Sequence, residues 1–125
     1  MSLTVRFWGV RGSIAVPGAS TARYGGNTSC IEVRCDDKLF ILDAGTGIRG
    51  LGNHLLAMGG AVEADMLFTH THIDHVCGIP FFAPFYLPGN KFHLWLGGLS
   101  KGWGIPAIRR QVTSQRPCNA SSRRR

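Results

Sequence analysis

The chain has 125 residues, of which 44% are apolar, enough for one domain with a moderate core. No apolar run reaches the roughly 18 residues that a membrane-spanning helix needs. The first residues also lack the basic start and apolar stretch of a signal peptide, so we predict a cytoplasmic protein with no membrane partner.

The net charge of +7 is concentrated at the C-terminal end. Residues 109–125 hold six arginines and no acidic residue, whereas residues 1–108 hold eight basic and seven acidic residues. The composition predicts a nearly neutral domain, residues 1–108, followed by a basic disordered tail, residues 109–125. Such a tail would bind any polyanion with little sequence preference, so nucleic-acid binding is one hypothesis for it.

The cysteines are spread along the chain, at Cys30, Cys35, Cys77 and Cys118. None forms a C-x-x-C pair, so a cysteine zinc site is not predicted, and without a secretion signal we interpret all four as reduced thiols. Cys77 lies two residues after a histidine. We favour a packing role for it over that of a ligand or nucleophile.

The first part of the chain predicts three strands. Leu3–Val10 alternates apolar and polar residues before becoming apolar throughout, which indicates a strand with one face well buried. Thr28–Arg34 and Leu39–Leu42 are the next two, joined by a hairpin turn at Cys35–Lys38. Because Leu39–Leu42 is apolar on both faces, we expect it to be central.

A long loop, residues 11–27, separates the first two strands and is dense in Gly, Ser, Pro and Asn. Loops of this length in compact domains are often functional. Its polar residues Arg11, Arg23, Tyr24 and Asn27 either contact an anionic substrate or form solvated surface, and the sequence leaves both interpretations open.

The second part of the chain alternates helices and strands. Gly47–Met58 has apolar residues at helical spacing and is followed by two glycines that end a helix. We predict a strand at Met66–Thr69, a short helix from Pro80, a strand at Lys91–Leu96 and a helix within Ile105–Val112. The aromatic residues after Pro80 either wall a site or complete the core. This order of elements predicts an α/β fold with a mixed sheet.

The segment after the fourth strand, His70-Thr71-His72-Ile73-Asp74-His75, holds three histidines and one carboxylate within six residues. Imidazole and carboxylate are the ligands that zinc and similar divalent metals prefer. In an extended segment His70 and His72 lie on the same side, and the chain must turn to bring Asp74 and His75 to a metal. We therefore predict a metal site formed by these four residues.

Three further residues carry predictions of their own. Asp43 follows the third strand and precedes two closely spaced glycines, so it either forms a turn or orients a metal-bound histidine from behind. His54 lies off the apolar spacing of the helix, and we predict that it is exposed and not a ligand. His93 alternates with apolar residues in a strand, which favours a structural role.

Four segments of the chain carry recognisable motifs. They are Arg6-Phe7-Trp8-Gly9-Val10-Arg11-Gly12-Ser13, Arg23-Tyr24-Gly25-Gly26-Asn27-Thr28-Ser29-Cys30, Leu42-Asp43-Ala44-Gly45-Thr46-Gly47 and Phe68-Thr69-His70-Thr71-His72-Ile73-Asp74-His75. Together they resemble the metallo-β-lactamase-fold hydrolases, and most of all the phosphodiesterase-like branch that holds ribonuclease Z and the phosphoribosyl cyclic phosphate phosphodiesterases. The resemblance runs from about residue 4 to about residue 108.

The resemblance implies an α/β fold that is the N-terminal half of an αββα sandwich, with a mixed sheet and flanking helices. It implies two zinc ions in a complete site, and manganese suits the same ligands. By resemblance His70 and His72 would hold one metal. Asp74 and His75 would hold the other, and Asp74 would also steer the proton of the metal-activated water as the catalytic residue.

The family takes its remaining ligands, two histidines and a bridging aspartate, from a second half. In this sequence no Asp or Glu follows Asp74, and His93 is the only histidine after His75. We therefore expect a truncated gene product with weak metal binding and impaired hydrolysis.

The expected function is that of a metal-dependent phosphodiesterase acting on a phosphodiester such as a cyclic nucleotide or an RNA end. The alternative is a non-catalytic metal-binding fragment that folds or associates with a partner. A half-sandwich would also expose an apolar sheet face, which predicts homo-oligomers formed through that face.

Overall fold

The computed structural model describes residues 1–97 together with the backbone of residues 108–113. The strands are β1 (Leu3–Gly9), β2 (Cys30–Cys35), β3 (Lys38–Leu42), β4 (Glu63–Phe68), β5 (Lys91–Leu96) and β6 (Ile108–Thr113). The helices are α1 (Ile48–Met58) and α2 (Ile73–Val76), with 3₁₀ turns at Ala19–Thr21, Ile79–Phe81 and Ala83–Tyr86. No helix in these ranges is long and apolar enough to cross a membrane.

The six strands form one sheet in the order β1-β2-β3-β4-β5-β6. β1, β2 and β3 are antiparallel neighbours, β3, β4 and β5 are parallel, and β6 is antiparallel to β5. The predicted α/β fold with a mixed sheet and flanking helices is confirmed. The hairpin between β2 and β3 is also confirmed, and Asp36 takes the left-handed conformation of such a turn, with φ of 51°.

The core lies between the sheet and α1. Alternate residues of the central strands are buried against the helix, and Ile48, Leu51 and Leu55 supply its apolar stripe. Phe82 is fully buried, and its ring meets those of Phe85 and Phe92 edge to face at 5.0 and 5.4 Å. Two of the four aromatic residues after Pro80, Phe82 and Phe85, therefore complete the core, whereas Phe81 and Tyr86 are exposed.

A buried polar cluster joins β1 and β2 on the same face of the sheet as α1. Glu32 is 2% exposed and accepts hydrogen bonds from Trp8 Nε1 at 2.8 Å and from Arg34 Nε at 2.6 Å. Burial by itself would raise the pKa of Glu32. The hydrogen bonds from Trp8 and Arg34, with the charges of Arg34 and Arg6, outweigh that effect and lower the pKa.

The opposite side of the sheet, which we call the open face, presents apolar residues to solvent. Residues paired in register share a face, and one row across five strands is Phe7, Ile31, Leu42, Leu67 and Trp95. Phe7 is 63% exposed and Leu67 is 38% exposed.

The prediction that the first strand has one well-buried face is wrong. Leu3 and Val5 are 67% and 48% exposed, and the strand becomes buried only at Trp8 and Gly9. β1 is an edge strand whose apolar side belongs to the open face. The sequence pattern therefore identified correctly which residues of the strand share a face, but the prediction that this face is buried was wrong.

The C-terminal predictions are partly corrected. The helix predicted within Ile105–Val112 is wrong for residues 108–112, which form β6 and pair with β5 from Leu96↔Ile108 to Lys91↔Thr113. Residues 109–113, assigned by composition to the disordered tail, therefore belong to a strand. Residues 98–107 and 114–125 lie outside the described residues, so the division into a domain and a basic tail stays a prediction.

Candidate functional site

The histidine motif lies at the edge of the sheet where the parallel strands end. β4 ends at Phe68, and α2 begins at Ile73, so His70 and His72 are in the connecting loop. The backbone N–H of His75 donates to the carbonyl of His72 at 2.9 Å, which makes the turn that the sequence required. Because β3 is parallel to β4, Asp43 reaches the same edge directly after β3.

Asp43 binds the motif through three hydrogen bonds. Its carboxylate accepts from the Thr69 backbone N–H at 2.8 Å, from Thr69 Oγ1 at 2.9 Å and from His75 Nδ1 at 2.8 Å. The residue is 4% exposed and has a φ of 60°, in the left-handed region that Asp tolerates better than most residues. Asp43 thus makes both the turn and the contact with a histidine that the sequence had offered as alternatives.

These bonds fix the role of Nδ1 in two of the histidines. A carboxylate only accepts, so Nδ1 of His75 donates to Asp43, while its Nε2 faces Asp74 Oδ2 at 3.3 Å. The Thr69 hydroxyl donates its single proton to Asp43. Its oxygen, 3.0 Å from Nδ1 of His70, therefore accepts from that ring. Nδ1 is thus the hydrogen-bonded nitrogen of both His70 and His75, and in a metal-binding imidazole one nitrogen is hydrogen-bonded in the same way while the other meets the metal.

Asp74 is held by a residue that sequence reasoning missed. Ser13, in the long loop after β1, donates its backbone N–H to Asp74 Oδ2 at 2.9 Å, although it lies 61 positions away in the chain. This hydrogen bond lowers the pKa of the Asp74 carboxyl. Asp74 is 9% exposed, and the same Oδ2 lies 3.3 Å from Nε2 of His75.

The four predicted ligands lie close together. The ring centroids of His70 and His72 are 4.6 Å apart, and those of His70 and His75 are 4.1 Å apart. Within the described residues, however, no three His, Cys, Asp or Glu side chains form a group that could hold a metal ion. The motif has the donor chemistry of a zinc site without the closed geometry of one.

Close backbone packing holds the turn after β3 against the motif. Ala44 N–H donates to the His75 carbonyl at 2.8 Å, and Gly78 N–H donates to the Ala44 carbonyl at 2.9 Å. A Cβ on Gly45 would overlap the Asp74 carbonyl oxygen, and a Cβ on Gly78 would overlap the Gly45 carbonyl oxygen. Only glycine fits at these two positions without a backbone shift.

The other histidines lie outside the motif. The predicted exposure of His54 is wrong, because it is half-buried: Nε2 lies 2.9 Å from Arg6 Nη1, and its ring lies 5.4 Å from that of Trp8. It is not among the clustered histidines. His93 is half-buried on the open face, in register with Asp65.

The polar residues of the long loop separate into two places. Arg11, Arg23 and Tyr24 line an open concavity of about 250 Å³, with the Arg23 guanidinium 5.1 Å from the centre of the Tyr24 ring. Asn27 instead lines a larger concavity together with Cys77. The thiol of Cys77 is half-buried, 3.9 Å from Thr28 Oγ1.

Comparison with known proteins gives one structural likeness. No protein-family model matches the chain, and no curated protein matches it. A crystal structure from Thermotoga maritima, provisionally described as that of a metallo-beta-lactamase, superposes with a TM-score of 0.40 and 23% sequence identity. The superposition covers 64% of this chain and 39% of that protein, so the chain spans well under half of its length. A likeness at this level assigns neither a family nor an activity.

Proposed function

We propose that the chain carries part of the site of a metal-dependent hydrolase of the metallo-β-lactamase superfamily, with phosphodiesters as its substrate class. The observation that carries the proposal is the placement of His75, whose Nδ1 donates to Asp43 while its Nε2 lies 3.3 Å from Asp74. A sheet covered by helix α1 on one side and open on the other also suits one half of an αββα sandwich.

In this proposal each residue has a limited task. His70 and His72 would hold one divalent metal, zinc or manganese, and Asp74 and His75 would hold a second. The metals would supply an activated water. Asp43 binds Nδ1 of His75 and so turns Nε2 toward Asp74, and Ser13 holds the carboxylate of Asp74 in place.

The second candidate is a non-catalytic metal-binding fragment that associates with a partner. One observation favours it: the described residues form no closed group of three ligands. Two protein ligands per metal would leave each ion short of the three that a catalytic zinc site normally has.

Hydrolysis of bis(p-nitrophenyl) phosphate with added zinc or manganese separates the two candidates. The test compares the purified chain with His72→Ala and, as a matched control, with His54→Ala, which removes a histidine outside the motif. Turnover that is lost in His72→Ala and kept in His54→Ala supports the hydrolase. Equal rates in all three proteins, combined with metal binding that only His72→Ala weakens, support the fragment.

We also propose that the open face mediates self-association. Phe7 and Leu3 are 63% and 67% exposed on one side of β1, and exposed apolar surface of this kind favours contact between copies. Light scattering over a concentration series tests this. Phe7→Ser should shift the chain toward the monomer, and Tyr24→Ser, at a 73% exposed aromatic residue outside that face, should not. An unchanged monomer at all concentrations would refute self-association.

A further inference from the structure

An open concavity of about 610 Å³ adjoins the motif loop on the side of α1. Its lining residues are Asn27, Thr46, Arg49, Cys77, Gly78 and Phe81. None of the four clustered ligands His70, His72, Asp74 and His75 is among them. The volume is within the range of small-molecule sites, roughly 300–1,000 Å³.

Arg49 supplies a positive charge that has no carboxylate partner within residues 1–97. It lies exposed in the first turn of α1. All seven acidic residues of the chain fall within residues 1–97, and none of the ion pairs formed there includes Arg49. A guanidinium presents a fork of N–H donors that matches the oxygens of a phosphate. An anion bound in this concavity would supply the counter-ion that residues 1–97 do not.

Asn27 supplies neutral donors beside that charge. The Thr46 hydroxyl accepts from the Thr28 backbone N–H at 2.8 Å and donates to Asn27 Oδ1 at 3.2 Å. The carbonyl side of the Asn27 amide is thereby occupied, and within residues 1–97 its NH₂ group has no acceptor. The backbone of Asn27 is also fixed, because its carbonyl accepts from the N–H groups of Val10 and Arg11.

Phe81 supplies an aromatic surface at the same concavity. Its side chain is 67% exposed, whereas the next residue, Phe82, is fully buried in the core. Gly78, also in the lining, contributes only backbone to it. An exposed ring beside donors for an anion is suited to a ligand that carries both a flat ring and a phosphate.

We propose that this concavity binds a phosphate monoester that also carries a planar ring elsewhere in the molecule, the chemistry of a nucleoside monophosphate. Arg49 and the Asn27 amide hold the phosphate, and Phe81 stacks on the ring. The site is separate from the motif, so binding requires neither a metal nor hydrolysis. The proposal therefore stands or falls independently of the proposed function.

The test is calorimetric titration of the full chain with 5′-AMP in the presence of EDTA. Arg49→Gln should weaken binding about 10- to 100-fold, the effect of removing a charged hydrogen-bonding partner. Phe81→Leu, which keeps an apolar side chain and removes the ring, should weaken it roughly tenfold. Lys91→Gln removes an exposed charge at the start of β5 and should bind like the unmodified chain, as should His72→Ala.

Three outcomes would overturn the proposal. One is the absence of saturable 5′-AMP binding at millimolar concentration by the folded chain. Another is equal weakening by Arg49→Gln and Lys91→Gln, because that would indicate attraction to overall charge only. The third is loss of binding in Arg23→Gln with Arg49→Gln unaffected, which would place the anion in the smaller concavity lined by Arg11 and Arg23. Circular dichroism of each variant verifies folding before titration.

Discussion

Replacing Asp43 with Asn tests the hydrogen bonds that organise the motif. Asparagine keeps the shape of the side chain and tolerates the left-handed backbone, here with φ of 60°. It replaces one carboxylate oxygen with an NH₂ donor. The donors that now bind Asp43 are the backbone N–H and hydroxyl of Thr69, Nδ1 of His75 and, at 3.5 Å, the Ser29 hydroxyl. The amide can no longer accept from all of them.

The expected loss follows from burial. Asp43 is 4% exposed, so a donor that loses its acceptor is not fully compensated by water. A hydrogen bond to a charged group contributes about 1.5–3 kcal/mol, and Asp43→Asn should lower the free energy of unfolding by about that amount. Urea denaturation without added metal measures it. Nitrogen-15 NMR of the imidazoles should show His75 as the Nδ1–H tautomer in the unmodified chain and altered in the variant.

Asp37→Asn is the matched control, because Asp37 is an exposed residue of the β2–β3 turn. Its loss of stability should stay within about 0.5 kcal/mol, the usual range for a surface substitution. Equal stability of the two variants, with the His75 tautomer unchanged, would refute the reasoning, because Asp43 would then not determine the orientation of the ring.

Three further predictions concern other parts of the fold. Gly45→Ala should lower the unfolding free energy by about 1–3 kcal/mol and shift the NMR signals of Asp74, because the added methyl overlaps the Asp74 carbonyl; wild-type spectra in the variant would contradict this. Because the pKa of Glu32 is lowered on folding, its ionised carboxylate stabilises the fold at pH values above 4.5, the ordinary pKa of this group. That stabilisation is lost as the pH falls through the lowered pKa, so Glu32→Gln should flatten the acid limb of a stability–pH profile; parallel profiles would count against it. Burial, with the nearby charges of Asp43 and Glu32, raises the pKa of Cys30 to about 12. Peptide mapping after alkylation of the folded chain at pH 8 should therefore find Cys30 unmodified and Cys35 modified. Equal labelling of the two cysteines would disprove this prediction.

The sequence predicted the elements whose local signals agree with their packing. The apolar residues of β2 and β3, the hairpin turn between them and the glycines that end α1 all correspond to the structure. Burial of the first strand was mispredicted, because alternation shows which residues share a face and not whether another layer covers it. The helix predicted within Ile105–Val112 fails where residues 108–112 pair with β5, a long-range contact that local propensity does not encode.

The site was predictable where its residues are adjacent in the sequence. The motif and Asp43 follow consecutive parallel strands, and the sheet brings the ends of those strands together. The contact between Ser13 and Asp74 was not predictable, because it uses a backbone N–H of a residue in a long loop, and backbone donors have no sequence signature. The burial of Glu32 was missed for a similar reason, since its partners come from two strands.

The hydrogen bonds between the turn after β3 and the motif also determine how this part of the chain can move. Ala44 donates to His75 and accepts from Gly78, so the C-terminal part of α2 and the residues just after it are bonded to the turn. A ligand that required α2 to swing outward would have to break both bonds and separate the turn from the motif. The amide protons of Ala44 and Gly78 should consequently exchange with solvent in a single opening event, as one cooperative unit and not as a fraying loop.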